Sequence, residues 1–156
     1  MGELRVPTVA FPAEAVCADG RSFLGRIFVP AAASRHAGSM RAEEWMNEGT
    51  SFFPFLPDDS RTSVLLNKDE LLVLSVSASA DQGGVVEEAE APARRVAVEC
   101  GARCFEGTLL IEMPSNQSRV LDYLNRPGLF LTLREGDRHH LVRKSRITRV
   151  VELPEA

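Results

Sequence analysis

Lysine, tryptophan and tyrosine are nearly missing from this sequence: its 156 residues hold two lysines, one tryptophan and one tyrosine. Cysteine is scarce as well. Three cysteines, an odd number, do not make a disulfide framework and fit reduced thiols in the cytoplasm. No apolar run approaches the ~20 residues of a membrane span. The start, MGELRVPTVAF, lacks the basic segment and apolar core of a signal peptide, so no membrane insertion is expected. The chain has no Gly-x-Ser-x-Gly, no phosphate-binding glycine loop, no dinucleotide fingerprint and no His-Glu-x-x-His. These gaps point away from an enzyme and away from a cofactor. Cys17, Cys100, Cys104, His36, His139 and His140 would be enough ligands for zinc on paper, but none has the usual metal spacing, and small buried thiols are the simpler account.

What is present is ordinary for a globular chain: 44% hydrophobic and 26% charged residues. The net charge of −4 is unevenly spread, with −3 on residues 1–80, −4 on 81–92 and +3 on 93–156. A net-acidic protein is a poor general binder of nucleic acid, although its second half alone is basic.

The rare residues fall in matching places. The first half reads Phe23-x-Gly25, Arg41-x-x-Glu44-Trp45-Met46-Asn47, Phe52-Phe53, Lys68, Leu71 and Leu74. The second reads Phe105-x-Gly107, Arg119-x-x-Asp122-Tyr123-Leu124-Asn125, Phe130-Leu131, Lys144, Ile147 and Val150. The offset between them falls from 82 to 78 to 76, as it does when a repeat loses residues in loops. The expected organisation is a degenerate first copy at 13–76, a flexible acidic linker at 77–93 and a second copy at 94–153. Units of ~60 residues bury too little surface to stand alone comfortably, so the copies are expected to pack on each other or in a homo-oligomer.

Within each copy the periodicity is two. Phe105, Gly107, Leu109, Ile111 and Met113 share one face, as do Phe23, Gly25, Ile27 and Val29. An inward glycine at the same place in both copies suggests a sharp bend or a close backbone crossing. Further strands are expected near 15–18, 51–56, 62–68 and 71–76, and near 96–100, 129–134, 140–144 and 147–153; residues 6–11 suit an added edge strand. One helical turn interrupts each set, at 41–46 and 118–124. There Leu121 and Leu124 should face the sheet, while Asn47 and Asn125 should close the C-terminus in left-handed conformation. The resulting expectation is a mainly β protein: two tandem five-stranded barrel-like or strongly bent antiparallel sheets, each with one short helical turn, packed with pseudo-twofold symmetry.

A strand with an internal glycine, then Pro30 or Pro114, the Arg-x-x-Asp-x-Leu-Asn segment, a Phe-rich strand and Lys-x-x-Ile-x-x-Val resembles a family of small bacterial all-β domains of unknown function. Residues Arg119, Asp122, Leu124, Asn125, Phe130, Lys144 and Ile147 carry the likeness over 96–150. In the first copy Glu44 and Met46 depart from it, and an expanded loop, 31–40, precedes the segment. The resemblance implies a soluble bacterial protein without enzymatic activity, and names no partner.

Two binding readings compete. The first is a protein-interaction or scaffold module with Trp45, Phe52, Tyr123 and Phe130 as aromatic anchors and Arg119 and Lys144 as orienting charges. Phe52-Phe53 and Phe130-Leu131 put apolar groups on both faces of a strand, as packing between copies or on a partner requires. The blander account has Trp45 and Tyr123 covering their own cores, and Lys68 and Lys144 as solvated strand-edge charges. The second reading is a nucleic-acid-binding small barrel that uses Arg134, Arg138, His140, Arg143, Lys144 and Arg146, in the manner of oligonucleotide-binding and Sm-type barrels. Acidic interruptions and strand alternation count against that strip. A pocket for a small ligand between the copies is a third option.

Overall fold

The structure is a computed structural model that describes residues 7–31, 41–77, 93–111 and 119–154. The expected linker lies outside these residues except at its ends: Ser77 closes one strand and Ala93 opens the next. Met113 and Pro114 also lie outside them.

Ten strands follow one another: β1 (Thr8–Cys17), β2 (Ser22–Pro30), β3 (Phe52–Pro57), β4 (Val64–Asn67), β5 (Leu71–Ser77), β6 (Ala93–Cys100), β7 (Arg103–Leu110), β8 (Phe130–Glu135), β9 (Arg138–Arg143) and β10 (Arg149–Glu152). Helix α1 (Ala42–Met46) precedes β3 and helix α2 (Val120–Leu124) precedes β8. A 3₁₀ turn, Lys68–Glu70 or Lys144–Arg146, separates the last two strands of each half. The edge strand expected over 6–11, as far as it lies within the described residues, and the strand expected at 15–18 are parts of one long β1. Pro12 is tolerated inside it because β5 pairs only from Ala13 onward, which leaves β2 as the sole neighbour of the segment around Pro12.

The strands form a single antiparallel sheet in the order β10-β6-β7-β8-β9-β5-β1-β2-β3-β4. Each half has the same internal order and register. Ala15 faces Phe23 and Leu74, as Val98 faces Phe105 and Val150. Arg26 faces Leu56, as Thr108 faces Arg134. Phe53 faces Leu66, as Leu131 faces Val142.

The expectation of two barrels related by a pseudo-twofold is corrected by the way the halves join. Strand β5 pairs with β9, which are not equivalent strands, and the sheet does not close. A twofold would pair β4 with β10 too, and among the described residues that pair is not made. The reason is physical: one continuous ladder across β9 and β5 satisfies two edges that separate units would leave bare.

The inward glycines mark close crossings. A Cβ on Gly25 would run into the Leu56 carbonyl oxygen and lie 2.7 Å from the Phe55 ring; one on Gly107 would strike the Arg134 carbonyl oxygen and lie 2.8 Å from Leu133. Both glycines let the next strand bend across the first.

Two apolar clusters fill the concave spaces, and each takes residues from the other half. Phe130 and Leu141 complete the first cluster around Phe11, Ile27, Phe53 and Leu74. Val16, Leu72 and Val73 complete the second around Val98, Leu109, Tyr123 and Leu133. At ~1.5–3 kcal/mol for each large apolar side chain buried, this exchange makes the β5–β9 joint a principal source of stability.

Candidate functional site

The joint between the halves is held by polar groups as well as by its ladder. Asn47, just past α1, has ordinary helical backbone angles (φ −86°, ψ 0°), as does Asn125 (φ −88°, ψ −3°), so neither is a left-handed cap. The Asn47 side chain works instead. Its Nδ2 donates to the Glu43 carbonyl at 2.8 Å, while its Oδ1 accepts from the backbone N–H groups of Leu129 at 2.8 Å and Phe130 at 2.9 Å, in the other half. Thr132 adds a hydroxyl bond to the Glu43 carboxylate at 2.7 Å.

The two lysines have a shared task. Lys68 Nζ donates to the Glu48 carbonyl at 3.2 Å and to the Thr50 hydroxyl at 3.2 Å; Lys144 Nζ donates to the Arg126 carbonyl at 2.7 Å. Each ammonium therefore ties down the residue that follows the asparagine of its own half. Lys68 is only 1% exposed, which corrects its reading as a solvated edge charge. Burial pushes both ammonium groups below the ordinary lysine range, with Arg143 adding to the effect at Lys68 and Arg126 at Lys144.

A cleft of about 430 Å³ opens between the halves, lined by Asn47, Thr50, Lys68, Asp69, Leu129 and Arg143 among others. Asn47, Lys68, Asp69 and Arg143 in its lining already hold partners. Arg143 Nη2 contacts Asp69 at 2.7 Å, its guanidinium lies 5.5 Å from the Phe130 ring, and Arg146 donates to the Asp69 carbonyl at 2.8 Å. Arg143 Nη1 is buried without a hydrogen-bond partner and has the aromatic face as its compensation.

The basic strip is thereby dispersed. His140 is buried, sharing a 2.7 Å hydrogen bond with Ser75 across the joint and meeting Glu135 at 3.2 Å. Arg143 and Arg146 grip the first half and Lys144 caps its own loop. Of the six residues, Arg134 and Arg138 are the two whose side chains are not placed at these contacts, and they do not make a continuous basic surface with the other four.

The aromatic anchors also divide. Tyr123 and Phe130 are buried, with Arg126 stacked 4.4 Å from the tyrosine ring, so both serve the core and present no surface to a partner. Trp45 is half-buried, edge-on to Phe53 at 6.0 Å. Arg119 is exposed and holds Asp122 at 3.0 Å on the same helix. Phe52 stands apart: it is exposed on the last pair of strands, on the same face as exposed Leu65 of β4, while exposed Val64 lies on the other face; among the described residues β4 is an edge of the sheet.

Leu65 is not singled out by the sequence. Leu121 was expected against the sheet, yet Val120 and Tyr123 take the inward places and Leu121 is exposed. Gly101 turns the chain between Cys100 and Cys104, so Cys100 ends β6 and is buried as a small thiol while Cys104 lies exposed in β7. No group of three metal-ligating side chains is found among the described residues. Among the described residues no helix is long and apolar enough to cross a membrane. No family model, curated protein or solved structure matches the chain.

Proposed function

We propose that this protein is a non-enzymatic interaction module that accepts a β-strand from a protein partner along β4, with Phe52, Val64 and Leu65 as the apolar contacts. The supporting observation is that Val64 and Leu65 of β4 and Phe52 of the adjoining β3 are exposed where no described strand pairs with β4. Solvated edges ordinarily carry lysine, proline or inward charges, and β4, with the sequence VLLN, carries none. Strand addition uses such an edge, with backbone hydrogen bonds giving affinity and alternate side chains giving specificity. Three free thiols suit a reducing compartment, in keeping with action in the bacterial cytoplasm.

The test places a photo-crosslinking phenylalanine analogue at Leu65, and at exposed Asp59 as a control, in the producing cell. An adduct of discrete mass at position 65 that disappears with Phe52→Asp is the expected result. Equal labelling at both positions, or no adduct, would remove the reading.

A further inference from the structure

We infer that the partner strand is β10 of a second copy of this chain, and that chains join head to tail into a closed ring. The inference rests on the interaction reading above and goes further, because the β5–β9 joint inside one chain is a template for a β10–β4 joint between two. Strands β5 and β10 occupy the same place in their halves, as do β9 and β4. Inside the chain the first kind of edge pairs with the second. One edge of each kind is left over, at the two ends of the sheet.

The register carries over with the offset of 76 that relates these strands. Leu74 opposite Leu141 becomes Val150 opposite Leu65 of the next chain, and Ser75 opposite His140 becomes Val151 opposite Val64.

Exposure differs at equivalent positions as an unmade joint requires. Leu141 is 1% exposed and Leu65 69%; Phe130 is 4% and Phe52 55%; His140 is 7% and Val64 39%. The first residue of each pair is covered by the neighbouring half, and the second has the same place without that cover.

The contacts flanking the ladder change together on both sides. Asn125 repeats Asn47, is exposed, and makes no side-chain hydrogen bond among the described residues; the backbone N–H groups corresponding to those of Leu129 and Phe130 are those of Ser51 and Phe52. The polar pair Glu43–Thr132 becomes Leu121 against Pro54, both exposed and both apolar. The polar pair Ser75–His140 becomes Val151 against Val64. The ion pair of Asp69 with Arg143 becomes Ser145 with Asn67, both neutral and both able to hydrogen-bond. On the β10 side the places of Val16, Leu72 and Val73 are taken by Glu99, Thr148 and Arg149, so the outer joint is more polar there; Arg149 keeps its charge paired with Glu99 and lays its aliphatic stem against Leu66.

Unlike edges meeting make a heterologous joint, which closes into a ring or runs on as a fibre. A soluble chain that buried both ends would take the ring. It also explains why one half's edge is apolar and unguarded.

The experiment measures mass in solution by light scattering and native mass spectrometry for the full chain and two blocked variants. Leu65→Asp blocks the β4 edge; Val151→Asp blocks β10. The wild type should give one discrete multiple of 17.1 kDa, unchanged on tenfold dilution. Each variant alone should be a monomer with unchanged far-ultraviolet circular dichroism, its self-association weakened roughly 30-fold or more. Mixed, the two should form a heterodimer and nothing larger, since one intact edge of each kind remains. A monomeric wild type at all concentrations would overturn the inference while leaving a crosslink at Leu65 to another protein intact. Dimers formed by Val151→Asp alone would indicate like edges pairing and would overturn it too. Should Val151→Asp fail to fold, Asn125→Ala takes its place: it removes the acceptor for the Ser51 and Phe52 N–H groups of the next chain and should weaken self-association, and an unchanged assembly would overturn the inference.

Discussion

Asn47 and Phe130, 83 residues apart, are joined by a 2.9 Å hydrogen bond from a backbone N–H to a side-chain amide oxygen, and the same oxygen takes a second bond from Leu129. One carboxamide thus fixes where the second half begins its β8 strand. Removing it strands two backbone donors at a part-buried joint. Asn47→Ala should therefore cost about 2–3 kcal/mol in urea unfolding. Asn125→Ala, made where the equivalent neighbour is absent in a monomer, should cost less than about 0.5 kcal/mol under monomeric conditions. Equal losses for the two variants would contradict the clamp.

Lys68 gives a pH-dependent prediction. Burial holds its pKa below the ordinary 10.5, so the folded protein releases this proton before the unfolded chain does. Between the folded value and 10.5 the unfolded state binds more protons, and stability at this site rises with pH; below that window it is constant. Wild type and Lys68→Met should be compared by urea unfolding from about pH 8 to about pH 11. The stability difference, wild type minus variant, should grow toward the alkaline end. A difference that stays level or shrinks would show that the ammonium is not desolvated in the fold.

Gly25 and Gly107 test the repeated crossing. A methyl group at either position meets the carbonyl oxygen of a crossing strand, Leu56 or Arg134, and backbone cannot step aside as a side-chain tip can. Gly25→Ala and Gly107→Ala should each destabilise by about 1–3 kcal/mol, through overpacking rather than through any φ constraint. Neutral effects on the unfolding midpoint would mean that the strands can part without loss.

The repeat was legible because its markers are rare: two lysines and one residue each of tryptophan and tyrosine, at one offset series, leave little room for coincidence. The strands were legible from alternation, and the paired glycines from their inward phase. The roles of the markers were not. Lys68 looks like an edge charge beside Asp69-Glu70, and only its partners, Glu48 and Thr50, 20 and 18 residues earlier, reveal a buried cap. Helices of five residues have too little periodicity to tell Leu121 from Val120 as the inward residue. Phe130 is buried while its repeat Phe52 is exposed, because a strand covered on both faces and a strand with an open face have the same sequence pattern. One signal was available: Glu43 and Thr132 are polar while their repeats, Leu121 and Pro54, are both apolar, a change in step that marks two differently occupied joints.

The same covariation can be tested inside the chain at Ser75 and His140, which share a buried 2.7 Å hydrogen bond where the free edges offer Val151 and Val64. Ser75→Val alone leaves the His140 Nδ1 buried with no partner, and His140→Val alone leaves the Ser75 hydroxyl likewise. Each should cost about 1–3 kcal/mol. The double variant replaces both groups with the apolar pair found at the outer edges, and the Glu135 carboxylate released from His140 is exposed and rehydrates without loss. It should recover to within about 1 kcal/mol of wild type, a coupling that a double-mutant cycle in urea reads directly. Additive losses would show that the two joints are not interchangeable in chemistry, and the equivalence of β9 with β4 would lose its energetic meaning.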